Sequence, residues 1–204
     1  MAFNSLNRDV KEAVRILRRG GIIVYPTETV YGIGCDPLNS DACMRILDIK
    51  NRDTSKAMLL LAYSAEQVTE MAGPLNKPAL LLAEKFWPGP LTIIIKPTKK
   101  FPGYLLGKTE GAAFRVTSHP LSSALAKEFG MPIISTSANF SGEEPVGNYQ
   151  EALTVFWEKA DIVLNSDYKM KGKPSTIVDT TSGSVELVRE GALSFKEIME
   201  SVMK

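Results

Sequence analysis

The chain has 204 residues, of which 44 % are hydrophobic and 23 % are charged, and 24 basic against 23 acidic side chains leave a net charge of +1. These values are ordinary for a folded protein and exclude a disordered chain, while the small basic excess argues against a role dedicated to duplex nucleic acid. Two cysteines and one histidine are too few for a disulfide scaffold, a cysteine-rich zinc site or a multi-histidine metal centre.

The first half of the chain predicts helices and strands in alternation. Apolar residues recur at helical spacing from Val10 to Leu17, and Gly20-Gly21 ends this helix. A buried strand over 22–25 follows, is stopped by Pro26, and leads through a polar turn into residues 30–34. The next predicted elements are a helix from the N-cap Ser40 to about Lys50, a strand over 58–62, a helix opened by the capping box of Ser64 and Gln67, a helix over 80–86 and a strand over 91–96.

The second half continues this alternation. Strands are predicted over 111–116, 132–135, 162–164, 176–179 and 185–189. Helices are predicted over 121–129, closed by Gly130, over 152–157, and after the capping pair of Ser194 and Glu197. Because strands and helices interleave without a repeat or a linker-like stretch, we expect an α+β fold. It would be one domain over residues 1–204, with a mixed sheet and helices on its faces.

The sequence indicates neither a targeting segment nor a membrane span. The chain does not open with a charged region followed by an apolar one, as a signal peptide does. Its apolar runs, such as 58–62 and 91–95, are far shorter than the roughly 20 residues that cross a membrane. We therefore expect a cytoplasmic protein without membrane contact, in which any catalysis proceeds without a transition metal held by protein side chains.

Several polar clusters directly follow predicted strands, where ligand sites of open sheets tend to lie. The turn 26–32 carries hydroxyls and the carboxylate of Glu28, which could hold a small polar ligand or simply form a turn between two strands. The loop 135–142 offers neutral hydroxyl and amide groups and backbone N–H groups, which suit an anion or an adenine, or equally a serine-capped turn. This loop lacks the glycines and the terminal Gly-Lys-Ser of a P-loop.

Cationic residues mark two further candidate positions. Lys50, Arg52 and Lys56 precede a predicted strand, where they could clamp phosphate oxygens or cover a solvated helix C-terminus. Arg115 stands inside an apolar strand, so it must reach solvent, pair with a carboxylate, or face a cavity where its fork suits a ligand carboxylate. His119 has no neighbouring nucleophile and is interpreted as structural, and both cysteines as small core residues.

Taken together, seven segments carry a resemblance to a known family. They are YPTETVYGIG at 25–34, KNR at 50–52, WPGPLT at 87–92, FRV at 114–116, STSANFSG at 135–142, PSTIVD at 174–179 and VREG at 188–191. In this order and spacing the chain resembles the YrdC-type family of threonylcarbamoyl-adenylate synthases from about Arg8 to about Leu193. The resemblance implies a twisted mixed sheet with flanking helices around a large, positively charged central cavity.

The resemblance also implies a reaction. L-Threonine, bicarbonate and ATP, the last bound with Mg²⁺, would become threonylcarbamoyl-AMP and pyrophosphate, so the protein would be a nucleotidyltransferase. A partner transferase would then move the threonylcarbamoyl group to the adenosine beside the anticodon of certain tRNAs. Positioning and charge neutralisation would supply most of the catalysis.

Individual residues match positions that have roles in the family. Lys50, Arg52 and Lys56 match positions that face the ATP phosphates, and the first two are the expected catalytic residues. Arg115 matches the position that forks onto the threonine carboxylate. The remaining matches are Asn139 and Arg189 on the nucleotide side, and Thr29, Ser137, Ser175 and the wall residue Tyr31 around threonine.

Three positions depart from the family pattern. Ala57 stands where many members carry proline, Leu61 where some carry a histidine near threonine, and Gly111 where some carry a hydroxyl residue near ATP. The contact near ATP would then be absent or made by backbone. Because the chain ends shortly after Arg189, we expect the short form of the family, without an extra C-terminal domain.

Other functions stay open at this stage. A double-stranded RNA- or tRNA-binding module would use basic edges such as residues 96–108 or 169–173, and the charge of +1 predicts weak, salt-dependent binding. The related carbamoyl-adenylating proteins of hydrogenase maturation carry acylphosphatase and zinc-finger segments, for which this chain is too short and too poor in cysteine. A divergent paralogue without synthase activity would tend to lose the Lys-x-Arg or Ser-x-Asn pattern, and both are intact at 50–52 and 137–139.

Overall fold

The computed structural model of this chain describes residues 2–51, 58–140 and 142–202, with side chains from residue 7 onward. Within these ranges the helices are α1 (Ala2–Arg18), α2 (Ser40–Lys50), α3 (Ala65–Ala72), α4 (Lys77–Phe86), α5 (Pro120–Phe129), α6 (Tyr149–Phe156) and α7 (Phe195–Val202). The strands are β1 (Ile23–Pro26), β2 (Tyr31–Gly34), β3 (Leu59–Ala62), β4 (Leu91–Ile95), β5 (Ala112–Val116), β6 (Ile133–Ile134), β7 (Thr136–Ser137), β8 (Ile162–Val163), β9 (Thr176–Asp179) and β10 (Glu186–Arg189). The alternation predicted from the sequence is confirmed.

Side-chain caps explain where several helices begin. Asn76 and Asn148 each accept a hydrogen bond from a backbone N–H three residues on, so α4 and α6 begin almost a turn earlier than predicted. Asn39, not Ser40, caps α2, because its side-chain oxygen accepts from the N–H of Ala42 at 2.9 Å. The prediction of Ser40 as the cap was therefore wrong by one residue.

The ten described strands form two mixed sheets, where the interleaved pattern had suggested one. The four-stranded sheet has the order β7-β2-β1-β8, and the six-stranded sheet has the order β10-β9-β4-β5-β3-β6. In the first, β8 runs parallel to β1 and the other pairs are antiparallel. In the second, β3 is parallel to β5 and β4 to β9, and the other pairs are antiparallel. The predicted α+β class is confirmed, and the number of sheets is corrected to two.

The chain crosses from one sheet to the other at Ser135. β6 ends at Ile134 and pairs with β3, while β7 begins at Thr136 and pairs with β2. Gly34 allows this crossing, since a Cβ atom there would lie 2.1 Å from the carbonyl oxygen of Ile134. Each strand at the crossing has only two residues, which is why the sequence predicted one strand followed by a loop. The crossing brings the hydroxyls of residues 135–137 to the junction of the two sheets.

Two apolar clusters hold the layers together. The larger contains side chains from both sheets, such as Ile33 and Phe114, together with residues of α2, α3 and α4. The smaller packs α1 and α5 against Tyr25 and Leu61. The predicted core face of α1, which includes Leu17, is buried in this smaller cluster. Among the described helices, none is both long and apolar enough to span a membrane.

Candidate functional site

A cavity of about 120 Å³ lies where the two sheets meet. Eight of its described lining residues carry hydroxyl groups, and two are arginines. Sites for drug-sized ligands usually occupy roughly 300–1,000 Å³, so this space suits a molecule the size of a small amino acid. A larger ligand would have to extend beyond it.

The turn between β1 and β2 forms one wall of the cavity. The Thr27 hydroxyl lies 2.8 Å from the Thr29 hydroxyl and donates to the carbonyl of Val30 at 2.7 Å. The backbone N–H groups of Lys171 and Gly172 donate to the carbonyls of Glu28 and Thr29, both at 2.9 Å. These bonds anchor the turn to a later loop and hold the Thr29 hydroxyl at the cavity.

Arg115 brings a buried positive charge to the cavity from the middle of β5. Its side chain is 4 % exposed, and its Nη1 donates to the Thr29 hydroxyl at 3.1 Å. Its Nε lies 3.4 Å from Oε1 of Glu28, whose side chain is 2 % exposed. The sequence left three possible environments open for Arg115. The structure shows two of them at once, because the guanidinium pairs with a carboxylate and also lines a cavity.

Lys50 ends α2 and binds the loop that follows β7. Its Nζ donates to the Ser137 carbonyl at 2.5 Å, to the Asn139 carbonyl at 2.9 Å and to the Asn139 side-chain oxygen at 2.7 Å. The Ser137 hydroxyl donates to the same side-chain oxygen at 2.6 Å. Lys50 is 4 % exposed, and these oxygens solvate its ammonium group inside the protein. The ammonium group thus orders residues 137–139 at the edge of the cavity.

The far wall is built from the segment before β9 and the end of β10. The Ser175 hydroxyl lies 2.8 Å from the Thr92 hydroxyl, and Nη2 of Arg189 donates to the Ser175 carbonyl at 2.8 Å. The backbone at Gly191 passes close to Pro174, since a Cβ atom at Gly191 would lie 2.3 Å from the carbonyl oxygen of Pro174. This close crossing keeps Arg189 beside Ser175.

Tyr31 closes the cavity at the start of β2. Its ring is buried, and its hydroxyl donates to the carbonyl of Leu164 at 3.3 Å. Burial raises the pKa of Tyr31 to about 12, so it is a neutral hydrogen-bond donor at ordinary pH.

The structure brings together most of the residues predicted from the sequence. Those that line the cavity are Thr29, Tyr31, Arg115, Ser137, Ser175 and Arg189. Lys50 and Asn139 adjoin it through Ser137. Arg52 and Lys56 lie outside the described residues, and so does the departing position Ala57.

Four of the hydroxyl-bearing lining residues were not predicted individually: Thr27, Thr92, Ser135 and Thr136. The available clue was a hydroxyl inside or directly after an apolar run, as Thr92 is within β4. This clue is weak, because a buried threonine can also satisfy its hydroxyl on the backbone, as Thr180 does on the Ile94 carbonyl at 2.8 Å.

The remaining singled-out residues lie away from the cavity lining. Leu61 is fully buried in the smaller apolar cluster. Gly111 is needed for packing, since a Cβ atom there would lie 2.4 Å from Ile94. His119 is buried with its ring 4.8 Å from that of Tyr168, and desolvation lowers its pKa to about 4.

Within the described ranges, no three His, Cys, Asp or Glu side chains are grouped to hold a metal ion.

Two mixed sheets that enclose a small, hydroxyl-lined cavity with a buried arginine define a protein suited to a small anionic ligand. The profile of the Sua5_yciO_yrdC family, described as "Telomere recombination", matches residues 15–191. The chain therefore belongs to this family, which confirms the resemblance found in the sequence.

Relatives extend this comparison over most of the chain. A protein of Coxiella burnetii (strain RSA 493 / Nine Mile phase I) named threonylcarbamoyl-AMP synthase is 38 % identical over 178 residues, covering 87 % of this chain and 96 % of that protein. The structure of P. abyssi Sua5 complexed with L-threonine matches with a TM-score of 0.87 at 30 % identity, over 94 % of this chain and 56 % of that one. The structure of E. coli YciO matches with a TM-score of 0.86 at 30 % identity, over 94 % of this chain and 93 % of that one.

Proposed function

We propose that this protein is a threonylcarbamoyl-AMP synthase, a nucleotidyltransferase that makes threonylcarbamoyl-AMP and pyrophosphate from L-threonine, bicarbonate and ATP. The observation that carries the proposal is the buried guanidinium of Arg115 at a small hydroxyl-lined cavity. A cation and neutral donors in a space of this size fit an amino acid. The names of the curated relatives and the threonine complex of a structural relative support the same substrate.

Threonine would lie between the two sheets. Its carboxylate would bind Arg115, because a guanidinium matches a carboxylate with two parallel hydrogen bonds. Its hydroxyl and amine would find partners among the hydroxyls of Thr29, Ser137 and Ser175. The apolar lining residue Ala113 and its neighbours Val30 and Ile177 would contact the methyl group. One methyl contact is worth about 1–3 kcal/mol, so selection against serine should be modest.

The nucleotide would extend beyond the 120 Å³ cavity, towards Asn139 and Arg189 at its edge. Lys50, Arg52 and Lys56 would neutralise the phosphates, and together with Arg115 and Arg189 they would make the whole cavity basic. No carboxylate cluster for a metal occurs in the described ranges, so Mg²⁺ would arrive with the triphosphate, whose charge it shares.

The proposed reaction requires little covalent participation by protein side chains. The threonine nitrogen attacks the carbon of bicarbonate, and water leaves as the carbamate forms. A carbamate oxygen then attacks the α-phosphorus of ATP, and the bond from that phosphorus to pyrophosphate breaks. The side chains hold the reacting groups together and neutralise the charge on the phosphates, which are the effects that dominate phosphoryl-transfer catalysis.

The product would serve tRNA modification. We propose that the enzyme works in the cytoplasm and passes threonylcarbamoyl-AMP to a tRNA transferase. The net charge of +1 predicts that any direct contact with tRNA or double-stranded RNA is weak and sensitive to salt.

Pyrophosphate release tests the proposal. Purified protein is given Mg-ATP with threonine and bicarbonate together, with each alone, and with neither. Release that requires both co-substrates is the expected result. Protein that binds ATP but releases no pyrophosphate in response to threonine would contradict the proposal and favour a paralogue without synthase activity.

A further inference from the structure

Glu28 is a buried carboxylate directly behind the cavity. It is 2 % exposed and is not among the described residues that line the cavity. Its Oε2 accepts a hydrogen bond from the Thr117 hydroxyl at 2.5 Å, and its Oε1 lies 3.4 Å from Nε of Arg115. The carboxylate therefore contacts Arg115 at the Nε edge of the guanidinium.

The Arg115 guanidinium contacts two partners through different nitrogen atoms. The Nε edge faces Glu28, while Nη1 donates to Thr29, which lines the cavity. Neither Glu28 Oε1 nor Arg115 Nε makes a hydrogen bond to another described atom. These two groups therefore interact through the attraction between their opposite charges. Thr117 holds the carboxylate in turn, and its hydroxyl also accepts from the N–H of His119 at 3.1 Å.

We propose that Glu28 is a positioning residue, which holds Arg115 by its Nε edge and so keeps the Nη end directed at the carboxylate of the amino-acid substrate. This inference rests on the proposed function. A buried arginine without a counter-charge is costly, so the guanidinium would otherwise turn towards solvent or another acceptor. Glu28 keeps the cation in place while the cavity holds no anion.

The same geometry argues against Glu28 as a general base. A base must come within hydrogen-bond reach of the proton that it removes. Glu28 is not among the described residues that line the cavity, and its two oxygens contact Thr117 and Arg115. Its loss should therefore affect the Michaelis constant (KM) for threonine rather than the chemical step.

The test compares four variants with the wild type in the pyrophosphate assay. Glu28→Gln keeps the size of the side chain but removes its charge, and we expect the KM for threonine to rise about tenfold or more. The KM for ATP should stay within about twofold, and kcat at saturating threonine within about threefold. Glu28→Asp keeps the charge on a shorter stem and should restore part of the affinity.

Thr117→Val removes the hydroxyl that donates to the Glu28 carboxylate and accepts from the His119 N–H, and should raise the KM for threonine about threefold. The matched control is Glu110→Gln, in an exposed pair with Lys96 at 3.3 Å, which should leave all constants unchanged. If Glu28→Gln does not fold, Glu28→Asp and Thr117→Val still test the proposal.

Titration calorimetry separates positioning from general distortion. Glu28→Gln should weaken L-threonine much more than L-threoninamide, which has no carboxylate for Arg115 to bind. Equal weakening of both ligands would overturn the proposal. So would an unchanged or lowered KM for threonine, or a loss confined to kcat. If the wild type itself shows no threonine-dependent release, the proposed function fails; if the wild type is active and the variants are normal, only the role of Glu28 fails.

Discussion

At the scale of single residues, the site depends on charges placed inside the protein. Arg115 and Lys50 are each about 3–4 % exposed, and each is held by oxygen atoms of the chain. Such charges are costly to bury unless they are paired, so their presence beside a cavity is more informative than cations on the surface. The sequence singled out Arg115 as a cation inside an apolar strand and Lys50 as one of three cations before a strand, and the family resemblance then gave each a role.

Arg115→Lys tests the carboxylate-binding role at this scale. Lysine keeps the positive charge but loses the planar fork and the reach to both Thr29 and Glu28. We expect the KM for threonine to rise about tenfold or more, with little change in the KM for ATP. Steady-state kinetics with each substrate varied in turn decides this, and a change confined to ATP would show that Arg115 serves the nucleotide instead.

His119 predicts a pH dependence of stability. Its pKa is about 4 in the folded protein because of burial, against an ordinary value of 6.5. As pH falls from about 6.5 to 4, this histidine binds a proton in the unfolded state but not in the folded state. The free energy of unfolding therefore falls by up to about 3 kcal/mol. His119→Gln should make the unfolding free energy fall less steeply over this range. Denaturant unfolding at several pH values measures this, and equal slopes for both proteins would contradict it.

At the scale of elements, α2 and the β6–β7 crossing bring the site together. α2 ends at Lys50, whose ammonium group holds residues 137–139, and the crossing at Ser135 delivers that segment to the junction of the sheets. Gly34 lets β2 and β6 approach closely enough for this crossing. Neither feature binds a ligand by itself, yet both decide where the hydroxyls lie.

Lys50→Met tests the connection from α2 to the loop. Methionine is close to lysine in length but cannot donate hydrogen bonds to Ser137 and Asn139, so both carbonyls and the Asn139 side-chain oxygen would lose this donor. We expect the protein to lose about 2–3 kcal/mol of stability and most of its turnover. The matched control is Lys99→Met, because Lys99 is exposed and its side chain donates only to the Glu70 carbonyl, at 2.5 Å, among the described contacts. Thermal unfolding and pyrophosphate release that match the wild type would contradict this role of Lys50.

Gly34→Ala tests the crossing of the two sheets. The added methyl group would lie 2.1 Å from the Ile134 carbonyl oxygen, so the sheets must move apart. We expect a loss of about 2–3 kcal/mol, in the range of overpacked cores. Gly103→Ala is the control, because nothing lies within 4 Å of a Cβ atom there. Equal stability of the two variants in denaturant unfolding would contradict the tight crossing.

At the scale of the whole molecule, the sequence predicted the order of the elements and six of the cavity-lining residues, but not how the strands are divided between two sheets. Strands such as β4 and β5 were predictable because short apolar runs that contain β-branched or aromatic residues and are bounded by Gly or Pro favour a strand over a helix. β6 lies inside the predicted strand 132–135, but β7 was predicted as part of a loop, since this polar two-residue strand is set by its partner β2 rather than by its own pattern. The partners of Lys50 were likewise hidden, because residues 50 and 137–139 meet only in the folded chain.

The extent of the similarity between this chain and its relatives also bears on its function. Its match to the Coxiella burnetii synthase covers 96 % of that protein, so the comparison does not depend on a single motif. Its similarity to P. abyssi Sua5 and to E. coli YciO is nearly equal, with TM-scores of 0.87 and 0.86. Because one fold can carry different activities, the overall shape does not by itself specify the reaction, which has to be observed.

The most direct measurement is mass spectrometry of the product formed from Mg-ATP, L-threonine and ¹³C-bicarbonate. The proposed function predicts an AMP adduct that contains threonine and one heavy carbon, and that forms only when threonine and bicarbonate are both present. ATP turnover that yields AMP or ADP without this adduct, or no turnover in protein that binds ATP and threonine, would contradict the assignment as a threonylcarbamoyl-AMP synthase.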